Sequence, residues 1–355
     1  MSTPKKVKTR FSVGLNGQPN NLEDLLGAFG NDIYEVFAPA PAEVIQTGRR
    51  GHVPVSREEI KRQADFAHAH GVRYNVLMNG PCQGGLEFTE EFCTRLYSFL
   101  DFLDENKVDC VTITNPFIIE MVHKHSPIEI TAGSWSDIST PLKARRFELL
   151  GASTIVPIDT VLKSVSTLKA MQSGIHGALK IIVNQGCVFY CDGFFAHINL
   201  VAHSSVMSDE TMDQQGNYLY PINRCRGMRL VNPLEFFMSD FIRPEDLHWY
   251  EDAGIHLFKI AGRRAPTEWM INTLRAYLNR SYEGNVFDLF SQFVGQTTID
   301  LPNKELDGWF EFAGDCKDAE AFMERCKEFC LDRHLERHFK GTIPDTGFTC
   351  KGGRA

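Results

Sequence analysis

Cys187 and Cys191 lie four positions apart, just past the apolar run Leu179 to Asn184, and Cys225 follows within Asn223-Arg224-Cys225-Arg226. The chain has ten cysteines. In a large chain read as intracellular, closely spaced thiols point to metal or redox chemistry rather than disulfides. If the loop after the run turns helically, positions i and i+4 come within roughly 5–6 Å at Cβ, close enough to hold two corners of one centre. Arg224, Arg226 and Arg229 would offset thiolate charge and lower the thiol pKa. The expectation is therefore an iron–sulfur centre on Cys187, Cys191 and Cys225. Zinc is the alternative, since it takes the same thiolates and imidazoles. For a fourth ligand the candidates are Cys82, in Gly80-Pro81-Cys82-Gln83-Gly84-Gly85, Cys316 from the C-terminal part, and His197 or His203. An open fourth position would leave the metal a reactive Lewis acid. Cys326 and Cys330, again four apart, either join Cys316 in a second site or mark the apolar face of a helix.

Other residues could bind and transform a substrate beside such a centre. His197 or His203 could shuttle protons, because imidazole titrates near neutrality. Arg226, Arg229, Arg263 and Asn184 suit a small acidic substrate, guanidinium being able to grip a carboxylate with two bonds. For Arg263 an ion pair with Asp240 or Glu245 is the structural alternative.

Elements must bring these residues together. Strand-like segments recur at Phe11–Asn16, Asp32–Phe37, Arg73–Asn79, Asp109–Thr114, Ile128–Ala132, Thr154–Ile158, Leu179–Asn184 and His256–Ala261. Helical patterns separate them, such as Ser56–Ala69, opening on a capping box, and Thr89–Glu105, with Phe92, Leu96, Phe99 and Leu103 on one face. Unbroken strand–helix alternation predicts a parallel sheet, and about eight units fit a (β/α)8 TIM barrel. Such a barrel presents its chemistry at the carboxyl ends of the strands. Alternation along strands then sorts inner from outer faces. It places Glu35, Glu129, Thr131, Asn184 and Lys259 toward the interior near the mouth. Glu35, Glu129 and Lys259 are thus catalytic candidates, or else an internal Glu–Lys pair that holds the core.

The organisation expected is a basic tail over 1–10, the barrel over 11–300, a helical cysteine-containing extension over 301–340 and a flexible tail over 341–355. Hydrophobic residues make up 43% and charged residues 23%, as in a globular protein. A net charge of −8 argues against a dedicated nucleic-acid binder. No run approaches the roughly 18 apolar residues of a membrane span, and no signal core follows the basic start. A cytoplasmic protein is expected.

From about residue 10 to 290 the chain resembles the collagenase-like peptidase family U32. The resemblance rests on Val108-Asp109-Cys110-Val111-Thr112-Ile113-Thr114-Asn115, on Ile130-Thr131-Ala132-Gly133-Ser134-Trp135-Ser136 with Phe147-Glu148-Leu149-Leu150-Gly151-Ala152, and on Asn184-Gln185-Gly186-Cys187 with Cys191 and Cys225-Arg226. It also rests on Gly254-Ile255-His256-Leu257-Phe258-Lys259-Ile260-Ala261-Gly262-Arg263, where Ala261 stands at the family's signature Glu. The resemblance implies a barrel with a 4Fe-4S cluster held in part by Cys187, Cys191 and Cys225. It also implies oxygen-independent hydroxylation, with a small acid as oxygen donor. A peptidase is the second expectation, although no Ser–His–Asp arrangement and no His-Glu-x-x-His is evident. The third is a non-catalytic subunit paired with a partner of the same family.

Overall fold

The protein is described by a computed structural model covering residues 8–48, 55–207, 220–290, 299–313, 315 and 318–339. Both termini named above fall largely outside these residues. Eight parallel strands close a barrel in sequence order. They are β1 (Arg10–Gly14), β2 (Ile33–Pro39), β3 (Arg73–Met78), β4 (Cys110–Ile113), β5 (Glu129–Ala132), β6 (Ala152–Ile155), β7 (Ala178–Ile182) and β8 (Leu257–Ile260). Closure comes from β8 pairing with β1, Lys259 opposite Ser12.

The helices covering the barrel are α1 (Asn21–Phe29), α2 (Arg57–Ala69), α3 (Glu90–Glu105), α4 (Pro116–His125), α5 (Pro141–Leu149), α6 (Val165–Ser173) and α7 (Phe194–Ser204). They continue with α8 (Tyr220–Val231), α9 (Leu234–Met238), α10 (Leu247–Asp252), α11 (Thr267–Asn279), α12 (Trp309–Ala313) and α13 (Ala319–Asp332). Local chemistry sets their starts: Ser56 Oγ accepts the Glu59 N–H at 3.2 Å and Thr89 Oγ1 the Phe92 N–H at 3.3 Å.

Strand alternation divides the residues as the sequence pattern requires. Phe11, Val13, Val36, Val76, Val111, Ile130, Ile181 and Phe258 are buried in one apolar core. The other face of the strands turns inward and carries a polar network below the apolar residues Phe37, Leu77 and Ile182. Ser12 Oγ donates to Glu35 at 2.6 Å, Asn75 Nδ2 to Glu35 at 3.1 Å, and Thr112 Oγ1 to Asn75 at 3.0 Å. Lys180 closes this network by pairing with Glu35, both side chains 2% exposed. Glu35, Thr131 and Lys259 therefore face inward as expected, and the internal Glu–Lys pair exists. Its lysine, however, is Lys180 of β7.

Glu129 corrects the expectation. It opens β5, at the amino end of the barrel, and is half exposed and bound to Arg73 at 2.8 Å. As a strand's first residue it lies below the closed interior, away from the mouth, and can reach solvent.

Candidate active site at the barrel mouth

An open cavity of about 140 Å³ sits where the strands end. Its walls are Phe37 from β2, Leu77 from β3 and Asn79 just past it, Ser134 and Trp135 after β5, Ile182 from β7 and Gln185 past it, and Lys259 from β8 with Ala261 to Arg264 past it. Gly48 completes it. A Cβ there would meet Asn79 Nδ2 at 2.7 Å and the Trp135 ring at 3.0 Å, so only glycine permits this approach. The Gly48 N–H uses it to donate to Asn79 Oδ1 at 2.7 Å. Three basic residues, Lys259, Arg263 and Arg264, line the cavity with no Asp or Glu among its walls. The arrangement suits an anion.

Lys259 sits in an unusual setting. Its Nζ lies 4.0 Å from the Phe37 ring centroid. Burial, then the Lys180 ammonium, push its amine down to about 7; Glu35 counters them in part, and Arg263 adds to the fall. A group held near neutrality in a cleft is equipped for proton or nucleophilic chemistry.

One sulfur, that of Cys187, lies beside this cavity. Cys187 follows β7, and its N–H donates to Asp240 Oδ1 at 2.6 Å. Cys187 Sγ and one oxygen each of Asp159 and Asp240 lie within 4.8 Å of one another. Burial, followed by the two carboxylates, raises the Cys187 thiol well above its usual value. Burial also lifts Asp159 to about 6 and Asp240 well above the ordinary carboxylate range. Asp159 Oδ1 and Asp240 Oδ2 are buried without a hydrogen-bond partner. Cys191 and Cys225 are neighbours: the Cys191 thiol is raised by burial, and Asp192 and Cys225 add to the rise. Arg229 of α8 ties the two halves together, donating to the Gly186 carbonyl and, at 3.6 Å, to Cys225 Sγ. One thiol with two carboxylates is a mixed soft and hard donor set of the kind zinc accepts.

Gln185 joins rim and cavity. It lines the cavity while its Nε2 donates to Asp159 Oδ2 at 2.8 Å and to Cys187 Sγ at 3.2 Å.

Comparison with known proteins agrees with this architecture. The model of peptidase family U32 matches residues 35–285. The chain belongs to peptidase family U32. An uncharacterized protease of Methanocaldococcus jannaschii is 26% identical over 310 residues, 87% of this chain and 91% of that protein. A solved U32 peptidase superposes with a TM-score of 0.52 at 20% identity, over 75% of this chain and 97% of its own, a likeness of fold.

Within this U32 barrel the anticipated site residues divide into groups. Lys259 and Arg263 line the cavity. The three cysteines split: Cys187 groups with Asp159 and Asp240, while Cys191 and Cys225 are neighbours of each other, and among the described residues the three thiols do not form one donor group. Glu35 lies inside the barrel, committed to Lys180 and not among the cavity walls. Asn184 is fully buried. Its amide accepts the Ala261 N–H at 2.7 Å and donates to the Ala261 and Leu289 carbonyls, so it pins the end of β8 to β7. Arg229 is 2% exposed and binds Gly186 and Cys225, holding the cysteine loop.

His197 and His203 are half-buried on α7, and neither is a cavity wall. Cys82 is half-buried in its own loop, Sγ accepting the Gly84 N–H at 3.2 Å. The Arg226 side chain and Cys316 lie outside the described residues. Cys326 and Cys330 are buried in the apolar core, which settles them as one face of α13.

Several residues escaped the sequence reading: Lys180, Asp159, Asp240, Gln185, Asn79, Trp135 and Arg264. Lys180 carried a signal, being the single charge in an otherwise apolar strand. Asp159 carried another, following the apolar end of β6 as Cys187 follows that of β7.

Proposed function

We propose that this chain is an enzyme that holds a small anionic substrate in the barrel mouth, beside a thiolate-bound metal centre on Cys187, Cys191 and Cys225. The observation carrying this reading is Gln185, whose amide touches Asp159 and Cys187 while it walls a cavity lined by Lys259, Arg263 and Arg264. Buried carboxylate oxygens without partners next to a buried thiol favour a cation there, since uncompensated acids in a dry site are costly. A 4Fe-4S cluster is the group proposed, with zinc as alternative; when bound it would supply redox chemistry of the kind oxygen-independent hydroxylation needs.

The residues of this chain do the rest. Arg263 and Arg264 bind and orient the anion. Lys259 offers an amine poised to exchange a proton near neutrality. Arg229 holds the cysteine loop against α8.

A second reading, peptide hydrolysis, is favoured by the family name and by the archaeal relative called a protease. In that case the cationic wall would take a peptide's terminal carboxylate.

Iron and acid-labile sulfide on anaerobically prepared protein, with electron paramagnetic resonance, separate the readings. Bound iron and sulfide that fall at least about tenfold in Cys225→Ser, with folding retained, support the cluster. Metal-free protein that cleaves peptides bearing a free carboxyl end, and spares amidated ones, replaces it with the peptidase.

A further inference from the structure

Resting on the reading of the mouth as the substrate site, we propose that Lys259 is an amine nucleophile that forms a Schiff base with a 2-oxo acid, whose carboxylate is held by Arg263 and Arg264. Among the described residues, Lys180, Lys259 and Glu35 face the barrel interior. Register puts Ile182 opposite Lys259 and Lys180 opposite Leu257, so Lys180 sits one layer deeper, where it takes Glu35. Lys259 is left at the layer next to the mouth, over the Phe37 ring, and it alone of the two lines the cavity.

Desolvation and a second nearby cation are two ways in which proteins make a lysine nucleophilic, and both act here. With its amine pushed down to about 7, Lys259 gives up its proton far more readily than an exposed lysine. An ordinary lysine is almost wholly protonated at neutral pH. Two guanidinium-bearing residues share the wall with that amine. The ligand chemistry this matches is a ketone directly beside a carboxylate: the carboxylate meets Arg263 and Arg264 while the carbonyl carbon faces Nζ.

The step balances without a redox partner. The Nζ lone pair adds to the carbonyl carbon, and the carbonyl π pair goes to oxygen, which takes a proton. Loss of that oxygen as water leaves a protonated C=N bond. Hydrolysis reverses every step.

The test treats the full chain with pyruvate and sodium borohydride, then measures intact mass and maps the modified peptide. The expected product gains the mass of pyruvic acid less one oxygen atom, on Lys259. Labelling falls at least about tenfold in Lys259→Arg, whose fold is checked by circular dichroism and melting. It rises as pH increases through about 7, following the free amine. In Arg263→Ala, Lys259 is still modified but requires a higher pyruvate concentration. No adduct, or equal labelling of Lys259→Arg, overturns the proposal.

Calorimetry with oxalate, which has carboxylates but no ketone, tells this failure from failure of the site itself. Oxalate binding that is lost in Arg263→Ala, with no pyruvate adduct, removes the Schiff base and keeps the anion site. Absence of both removes the two together.

Discussion

Glu35 keeps its charge in the middle of a protein because three residues are aimed at it. Burial works against ionisation, but Lys180, by charge and by hydrogen bond, and then Ser12 outweigh it and hold the carboxyl below its usual range. Removing one partner from such a pair strands the other. Lys180→Met is therefore expected to destabilise by about 3–5 kcal/mol in urea unfolding, through an uncompensated buried carboxylate. The double variant Glu35→Gln with Lys180→Met keeps an acceptor oxygen for Ser12 and Asn75 while deleting both charges. It should lose less than the single variant, and a double-mutant cycle reads that coupling directly. If both variants lose the same amount, the pair is not what orders the barrel interior. Alternation made Glu35 legible as an inward residue, but its partner was not. Lys259 sits in an equivalent inward register, and only the strand stagger decides which lysine lies level with Glu35.

Strands were the most legible part of this molecule, because each is a short apolar run whose one polar stripe faces inward. Their carboxyl ends, and hence the cavity, followed from barrel geometry. The loops could not be read in the same way. Asp240 reaches Cys187 from more than fifty positions away, and Arg229 binds the Gly186 carbonyl, contacts that no local pattern announces. Asn184 looked like a ligand because it ends a strand, yet it serves the sheet.

The approach to β7 depends on a further acid of this structural kind. Glu148, near the end of α5, accepts the His176 N–H at 2.6 Å and the Gly177 N–H at 2.8 Å and pairs with Arg145. Burial opposes its ionisation, but the Gly177 N–H, Arg145 and His176 prevail and hold the carboxyl down near 2. A depressed carboxyl adds stability above its ordinary value of 4.5, and loses it as pH falls toward 2. Glu148→Gln should cost about 1–3 kcal/mol at neutral pH. The gap from the parent chain should close as thermal melts are taken from pH 5 down to 2. A gap that stays constant with pH would mean that Glu148 acts by shape alone.

At the scale of the whole molecule, the open question is whether the C-terminal extension is a separate body or a wall of the barrel. Its described residues pack as a wall. Trp309 of α12 stacks on Phe241 at 5.6 Å, Phe310 lies 5.9 Å from Tyr250, and Phe339 is 5.9 Å from both Phe236 and Phe237. Phe322 of α13 reaches Phe189 at 5.3 Å, two positions past Cys187, so the extension also supports the cysteine loop. Lys163 is enclosed with them, its Nζ 4.2 Å from the Trp309 ring centroid. Burial lowers its amine to about 8, against the pull of Asp246 and Asp240. A chain ending at residue 300 would expose Phe236, Phe237 and Phe241, none more than 1% exposed in the full chain. Each aromatic side chain left without its packing costs about 3–5 kcal/mol when truncation data are the guide. Full loss at three such residues, about 9–15 kcal/mol, is as large as the margin of roughly 5–15 kcal/mol by which domains are stable. The shortened chain should therefore bind the dye ANS, melt without cooperativity and fall out of solution. A cooperative transition at the full chain's temperature would instead make the barrel over 11–300 self-sufficient, and the extension a module resting on it.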